Sequence, residues 1–340
     1  MGLRHWMENG LGYSPESVGS IDDRTIFVIL DPDQFLLTPL RSNYTNDSSM
    51  RWVHPSDDGM YTIRKGRPFA QMYAFGDTFM RKVNEDIPSV VNAAPVFPGN
   101  DDEQDPAKKK SPLYSWTTST VHHHFDAGPP YMAVASDMYQ IVATWAAIAV
   151  PVYERTTGHL SEMYAYSTAA AHVGLPHVLS YTFMVSNPDM GDRPEGWDAI
   201  DAANADEVCR MDAEATFTPP PILHYCQRYY LGPYFFSKYK LPKQFLNDCS
   251  HPLLKDPMVA ENGRYDWPSK YNSSITPNGQ FNRLSPKDGK RHAFLLCHSI
   301  SKLNRAVEFY KQHHCDTASA NFDRTFVFPM DKGATRKLVT

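Results

Sequence analysis

Two carboxylates stand two residues apart in Asp31-Pro32-Asp33. In an extended segment, side chains at this spacing point the same way. Pro32 fixes its own backbone angle and holds Asp31 extended. Oxygen ligands paired in this manner suit Mg2+ or Mn2+, ions that also grip a diphosphate. The competing reading is an Asp-Pro turn whose carboxylates cap nearby amides, and the spacing alone does not choose. His224, at the end of Ile222-Leu223-His224-Tyr225, offers a neutral imidazole as a third ligand. The chain has 14 histidines, and a lone one is more often a satisfied structural group. His122-His123-His124 is the more conspicuous cluster. Successive strand residues face opposite sides, so only His122 and His124 could share an ion there, and a surface strand or loop is expected.

Glu162 lies beside Met163 and Tyr164 at the head of an expected helix. A partly buried Glu there would act as a base or orient an acceptor hydroxyl. A first-turn Glu also complements the helix dipole, and position alone favours that simpler role. In Phe125-Asp126-Ala127-Gly128-Pro129-Pro130, Gly128 would let the backbone approach a ligand closely, with the prolines stiffening a loop. A plain turn explains the same residues equally well. P-loop, GxGxxG, GxSxG and HExxH motifs are absent, which argues against kinases, dehydrogenases, α/β-hydrolases and zincins.

The elements that must position these groups are legible in outline. Ile26-Phe27-Val28-Ile29-Leu30 is a continuous apolar run that suits a strand buried on both faces of a mainly parallel sheet. Asp31 and Asp33 would then sit at its carboxyl end, where open α/β sheets bind ligands. Further strands are expected at Phe35–Leu37, Pro68–Phe75, Tyr131–Ala135, His177–Phe183 and Ile222–Tyr225. Helices are expected over Met1–Asn9, over Ser136–Ala149 with Ser136 as N-cap, and over Leu160–Val173. Gly174 and Pro176 would end the last of these. Residues 97–113 look like an exposed insertion, and residues 250–290 like loop. Leu296, Ile300, Leu303, Val307 and Tyr310 line one face of a terminal amphipathic helix. Strands alternating with helices give an α/β layered fold.

Composition narrows the function classes. The 340 residues are 42% hydrophobic and 21% charged, with a net charge of -5. That is globular and carries no basic stripe, so no nucleic-acid partner is expected. Lys108-Lys109-Lys110 follows the acidic Asp101–Asp105 stretch and reads as a solvated loop. Five cysteines, none in a CxxC pair, are too few for a disulfide scaffold and argue against structural zinc. The odd count leaves at least one free thiol. Sequons at Asn43, Asn46 and Asn272 lean slightly toward a secretory lumen. Met138–Tyr153 is too short and too interrupted to span a bilayer, and the first ten residues are not a signal peptide.

Taken in order, five segments resemble the plant and algal peptidyl serine α-galactosyltransferases, relatives of the hydroxyproline O-arabinosyltransferases. They are Ile29–Asp33, Gly66-Arg67-Pro68-Phe69-Ala70, Asp126–Tyr131, Leu160–Tyr166 with Gly174–His177, and Ile222–Tyr225. Lys238, Asp248-Cys249 and the Cys297-bearing helix fall where counterparts of the serine enzymes are expected. The resemblance implies a GT-A-type nucleotide-diphospho-sugar transferase fold, with a catalytic domain over 1–235 and a C-terminal extension over 236–340. It implies Mn2+ (or Mg2+) on Asp31, Asp33 and His224. Donor or substrate contacts would fall on Arg67, Tyr73, Asp126, Gly128 and Tyr164, and Glu162 would take the acidic position beneath the acceptor. The implied reaction moves a sugar, galactose first, from a UDP-sugar to serine hydroxyls of hydroxyproline-rich glycoproteins. With no second carboxylate in view for a covalent intermediate, front-face attack with retention is expected.

In GT-A enzymes the Asp-x-Asp strand follows earlier β-α units that hold the nucleotide base, whereas here it begins 25 residues from Met1. Those units, and the segment that would anchor the protein in the endoplasmic reticulum or Golgi membrane, are therefore expected to be missing from this chain. Three alternatives stay open: a hydroxyproline arabinosyltransferase, a non-catalytic binding relative, and an unrelated metal-dependent hydrolase.

Overall fold

A computed structural model describes residues 2–97, 111–189, 195–210, 217–231, 234–255, 273–275, 281–316 and 319–326. The acidic 101–105 stretch, the Lys108–Lys110 run and Asn272 lie outside them. The chain forms two compact units: Met1–Asp31 with Leu40–Phe183, and Pro32–Pro39 with Met184–Thr340. The boundary expected after residue 235 falls inside a strand of the second unit. The strands in chain order are β1 (Ile26–Ile29), β2 (Gln34–Leu36), β3 (Phe69–Met72), β4 (Ala127–Val134), β5 (Val178–Ser180), β6 (Met184–Val185), β7 (Ile222–His224), β8 (Arg228–Leu231) and β9 (Tyr234–Ser237), then the short β10 (Leu253–Leu254), β11 (Ser273–Ile275), β12 (Phe281–Arg283) and β13 (Thr325–Phe326). The helices are α1 (Gly2–Gly10), α2 (Thr78–Asn84), α3 (Ile87–Val91), α4 (Thr118–Thr120), α5 (Ala135–Thr156), α6 (Ser161–His172), α7 (Asp198–Ala202) and α8 (Pro286–His314). The fold is mixed α/β with small mixed sheets.

The first unit holds a four-stranded sheet in the order β1-β4-β3-β5. β1 and β3 both run antiparallel to β4, and only β3–β5 is parallel. The expected mainly parallel sheet is thereby corrected. A parallel crossover needs a covering segment, usually a helix, and residues 30–68 contain none. β1 is a sheet edge, with Val28 41% exposed, so its apolar run is not buried on both faces.

β4 is buried along its whole length, as is its shorter neighbour β3. β4 includes Gly128-Pro129-Pro130, where a loop or turn was expected. Prolines carry no N–H to donate to a ladder. The β3–β4 register accordingly jumps from Ala70↔Tyr131 to Gln71↔Gly128, skipping both. The β1–β4 pairing stops at Ile29↔Tyr131. Continued register would set Leu30 and Asp31 against Pro130 and Pro129, so β1 ends there and releases Asp31.

Two helices cover this sheet. α5 runs to Thr156 through Pro151, beyond the expected end at Ala149. Ile148 and Val152 on either side are wholly buried, and packing outweighs the lost helical hydrogen bond. The expected cap, Ser136, is inside the helix. Its N–H donates instead to Asp23 Oδ1 at 3.0 Å, so a distant carboxylate supplies the acceptor. α6 packs along α5 through its alanines, of which Ala165, Ala169 and Ala170 have no exposure. Gly174 takes φ +73, the left-handed conformation expected of it.

In the second unit β7 lies between β2, antiparallel, and β6, parallel. β8 and β9 form a hairpin. The long helix α8 starts at Pro286 behind the cap Ser285, whose hydroxyl accepts from the Asp288 N–H at 3.1 Å. β10, β11, β12 and this helix start all fall in the stretch expected as loop. Their apolar pairs are too short to show a period. Leu296, Ile300, Leu303 and Val307 are buried as the amphipathic pattern requires. Disulfides join Cys209 to Cys297 and Cys249 to Cys315, leaving Cys226 free. Alkylation in denaturant is therefore expected to add one adduct without reductant and five after reduction, read by intact mass. Removing the Cys209–Cys297 bridge by a double serine substitution should lower the unfolding free energy by about 2–4 kcal/mol.

Candidate metal centre

Asp31, Asp33 and His224 each offer one ligand atom, and these atoms lie within 4.8 Å of one another. Among the described residues this is the one group of three or more His, Cys, Asp or Glu side chains that close. Asp31 ends the first segment of its unit, and Pro32 carries the chain directly to Asp33. β2 then pairs with β7 in the register Gln34↔His224, and the Tyr225 N–H donates to the Asp33 carbonyl at 3.0 Å. This register sets Asp33 diagonally beside His224. The His224 Nε2 is 3.2 Å from Asp33 Oδ1. The buried Tyr229 hydroxyl donates toward the carbonyls of His224 (2.9 Å) and Ser186 (3.0 Å), fixing the backbone beneath the imidazole.

The electrostatics show a carboxylate already matched by cations. Burial pushes Asp33 up, but hydrogen bonds and charge from His224 and Lys238 outweigh it and hold the carboxyl well below the usual range. Burial would lower His224, yet Asp33 and the Cys226 thiol push it up to about 10. Lys238, just after β9, places its Nζ on Asp33 Oδ2. Two ways of matching the carboxylate thus exist: a proton on His224 with the Lys238 ammonium, or a divalent ion with neutral His224. Lys238 was placed by resemblance without a role, and Cys226 was not singled out. The signal for Cys226 was its i, i+2 spacing from His224, which puts both side chains on one face of an extended segment.

A second group gathers in the first unit. The Asp126 carbonyl accepts from the Tyr73 N–H at 2.9 Å, and its Oδ1 accepts from the Phe75 N–H at 2.5 Å. Phe75 meets Tyr73 and Tyr164 with ring centres 5.6 and 5.2 Å apart. Gly128 joins them, but its freedom serves packing rather than a ligand. A Cβ built there would lie 2.0 Å from the Tyr73 ring. Tyr131, wholly buried, has its phenol raised well above the ordinary range by burial, then by the charges of Tyr166, Tyr73, Asp31 and Glu162. Glu162 is exposed in the first turn of α6, not partly buried. Arg67 is elsewhere: its Nη1 is 2.9 Å from Asp58, in a cleft it shares with histidines.

That cleft also corrects the histidine reading. His122–His124 lie in a π-helical turn, Val121–Phe125, so strand alternation does not apply. His123 and His124 line the cleft, while His122 Nδ1 is 3.9 Å from Asp126.

Two outcomes follow. Gly128→Ala must displace the Tyr73 ring and should cost about 1–3 kcal/mol of stability in urea unfolding. Burial pushes Asp126 up to about 7 and Asp137 to about 6, against hydrogen bonds from backbone N–H groups. An acid raised on folding binds protons that the unfolded chain releases, so stability is expected to fall as pH rises from about 4 to 7, by up to about 1.4 kcal/mol per unit for each group. Asp126→Asn should remove the slope between about pH 6 and 7 and leave the Asp137 part below it, checked by urea midpoints across pH.

No family model, curated protein or solved structure matches this chain, and the centre is read from its own geometry.

Proposed function

We propose that this protein is a metal-dependent glycosyltransferase of GT-A type, moving a sugar, galactose first, from a UDP-sugar to serine hydroxyls of hydroxyproline-rich polypeptides in the lumen of the secretory pathway. The observation that carries the reading is the approach of Asp31, Asp33 and His224 ligand atoms to within 4.8 Å of one another. Two carboxylates and an imidazole are a donor set for Mn2+ or Mg2+. When bound, such an ion neutralises charge growing on a departing nucleoside diphosphate.

The remaining groups have roles that this chemistry can use. Asp126, raised to about 7 by burial, holds or gives up a proton at neutral pH. Tyr73, Phe75 and Tyr164 present half-buried ring surfaces beside it, suited to the C–H face of a sugar with a hydroxyl at the rim. Glu162 is exposed in the first turn of α6, and in this reading it would meet an acceptor hydroxyl arriving from solvent. Two disulfides and exposed sequons at Asn43 and Asn46 support an oxidising compartment. No helix among the described residues is long and apolar enough to cross a membrane.

One observation favours a second reading. The Lys238 ammonium on Asp33 supplies an internal cation, as a non-catalytic binding relative would retain. Calorimetric titration of UDP with and without Mn2+ separates the two. Under the transferase reading Mn2+-dependent UDP binding is expected, abolished by Asp33→Asn, with Mn2+ bound more tightly by Lys238→Ala because a competing charge is gone. Absence of Mn2+-dependent UDP binding in the unaltered chain would sink it. Transfer assays with UDP-galactose and UDP-arabinofuranose on serine and hydroxyproline peptides then assign donor and acceptor.

A further inference from the structure

Arg64-Lys65-Gly66-Arg67 puts three cations into four residues, and the chain folds them into a tight turn. The Arg67 N–H donates to the Arg64 carbonyl at 2.8 Å. Gly66 takes φ +73, a value that this position of the turn reserves for glycine. Arg64 and Arg67 face each other as an antiparallel bridge. Residues directly opposite in such a pair carry their side chains on one face, so the two guanidinium groups project together. With Lys65 they line a cleft of about 400 Å3 in the first unit.

The charges on this wall do not cancel. Its carboxylates are Asp57 and Asp58, two against the three cations. Asp58 serves both arginines: Arg64 Nη2 is 2.5 Å from its Oδ2, and Arg67 Nη1 is 2.9 Å from its Oδ1. The Ser56 hydroxyl, then Arg67 and the Met60 N–H, hold that carboxyl well below the usual range. One carboxylate on two guanidinium groups leaves one positive charge over. Arg64 meets Asp58 through Nη2 alone, so its Nε and Nη1 can serve another acceptor. Lys65 is 3.6 Å from Asp23 and 60% exposed, and a pair that exposed holds its ammonium weakly. The rest of the lining is of another kind. Pro55, Pro176, Val178 and Leu179 present apolar surface beside the imidazoles of His54 and His123, whose ring centres are 5.0 Å apart. The cleft has the volume of a small-molecule site, more than a bare oxyanion fills.

We propose that this cleft binds an organic oxyanion ester, a phosphate or sulfate monoester, with its charged head on Arg64, Lys65 and Arg67 and its apolar body against Pro55, Pro176 and the imidazoles. Guanidinium forks match the oxygens of phosphate-like groups. An anionic head fixed by a few polar groups and a body covered by apolar ones is the usual division of labour in such a cleft. None of Asp31, Asp33, His224 and Asp126 lines it, so binding here needs no metal and is independent of the transferase reading.

The test uses the full chain in EDTA at pH 7.5 and low ionic strength. Phenyl phosphate, phenyl sulfate, inorganic phosphate and phenol are titrated by calorimetry. One equivalent of at least one ester is expected to bind, and the tighter of the two identifies the head group. Inorganic phosphate should bind more weakly, because it leaves the apolar lining uncovered, and phenol not at all. Arg64→Gln should weaken ester binding at least about fivefold. Its side chain is 51% exposed and Arg67 stays on Asp58, so the substitution leaves the turn in place. Asp57 has no hydrogen bond or ion pair among the described residues, and Asp57→Asn should tighten binding about twofold or more. Arg24→Gln removes the same charge from a side chain 91% exposed and outside the cleft, and should change nothing. The proposal is overturned if neither ester binds, if inorganic phosphate binds as tightly as the esters, or if R64Q weakens binding no more than R24Q does. Failure of D57N to tighten it would also overturn the proposal.

Discussion

A carboxylate taken partly out of water must be met by positive charge, and Asp33 is where this chain meets that demand. Its two oxygens face His224 and Lys238, and without them burial would drive the group to its neutral form. Satisfying it requires three segments far apart in sequence: the start of β2, the end of β7 and the residue after β9. The β2–β7 register sets the first two side by side, and the β8–β9 hairpin returns the chain to deliver the third. The aromatic packing around them serves the same placement. Phe35 and Tyr225 stack with ring centres 4.4 Å apart, and Tyr225 meets Phe236 of the hairpin edge-on at 6.0 Å, tying the hairpin to the end of the strand that bears His224.

The first unit is organised by a shortage of donors. Pro129 and Pro130 take two N–H groups out of the centre of a sheet, and the two neighbours of β4 respond differently. β3 absorbs the gap as a register jump, and the glycine at the jump accepts the Tyr73 ring where any side chain would collide. β1 stops. A strand that stops against prolines hands its next residues to other work, and the next residues here are Leu30 and Asp31. The same dipeptide thus shapes the aromatic group around Asp126 and the exit of the chain toward Asp33.

Much of this was legible in the residues and some was not. The strand ahead of Asp31, the helix ending at Gly174 and the apolar face of α8 were visible because each repeats its pattern over a full element. The direction of the strands was not, because an apolar run reads the same in a parallel centre and at an antiparallel edge. Gly128-Pro129-Pro130 was read as a loop on composition. Its place in a central strand depends on a register jump, which is a property of the partner strand. Asp23 as the acceptor for Ser136 and Lys238 on Asp33 are long-range pairings with no local signature. The histidine run was misjudged for a sharper reason: a strand puts residues 122 and 124 on one side, whereas the π-helical turn puts 123 and 124 there.

The Asp33 centre shows why counting ligands is a poor guide to which cation a protein holds. At Asp33 the ligands are charged, so any cation serves, and the chain supplies its own in Lys238 and in the proton that Asp33 and Cys226 stabilise on His224. A divalent ion there competes with two internal charges, and its net gain is the difference between two neutralised states rather than the full attraction of a bare carboxylate pair. Burial together with repulsion from His54, His122 and His124 lowers the His123 value, the reverse of the trend at His224. Occupancy of the Asp33 centre by a divalent ion is therefore a matter of competition with the charges that His224 and Lys238 already place on the carboxylate.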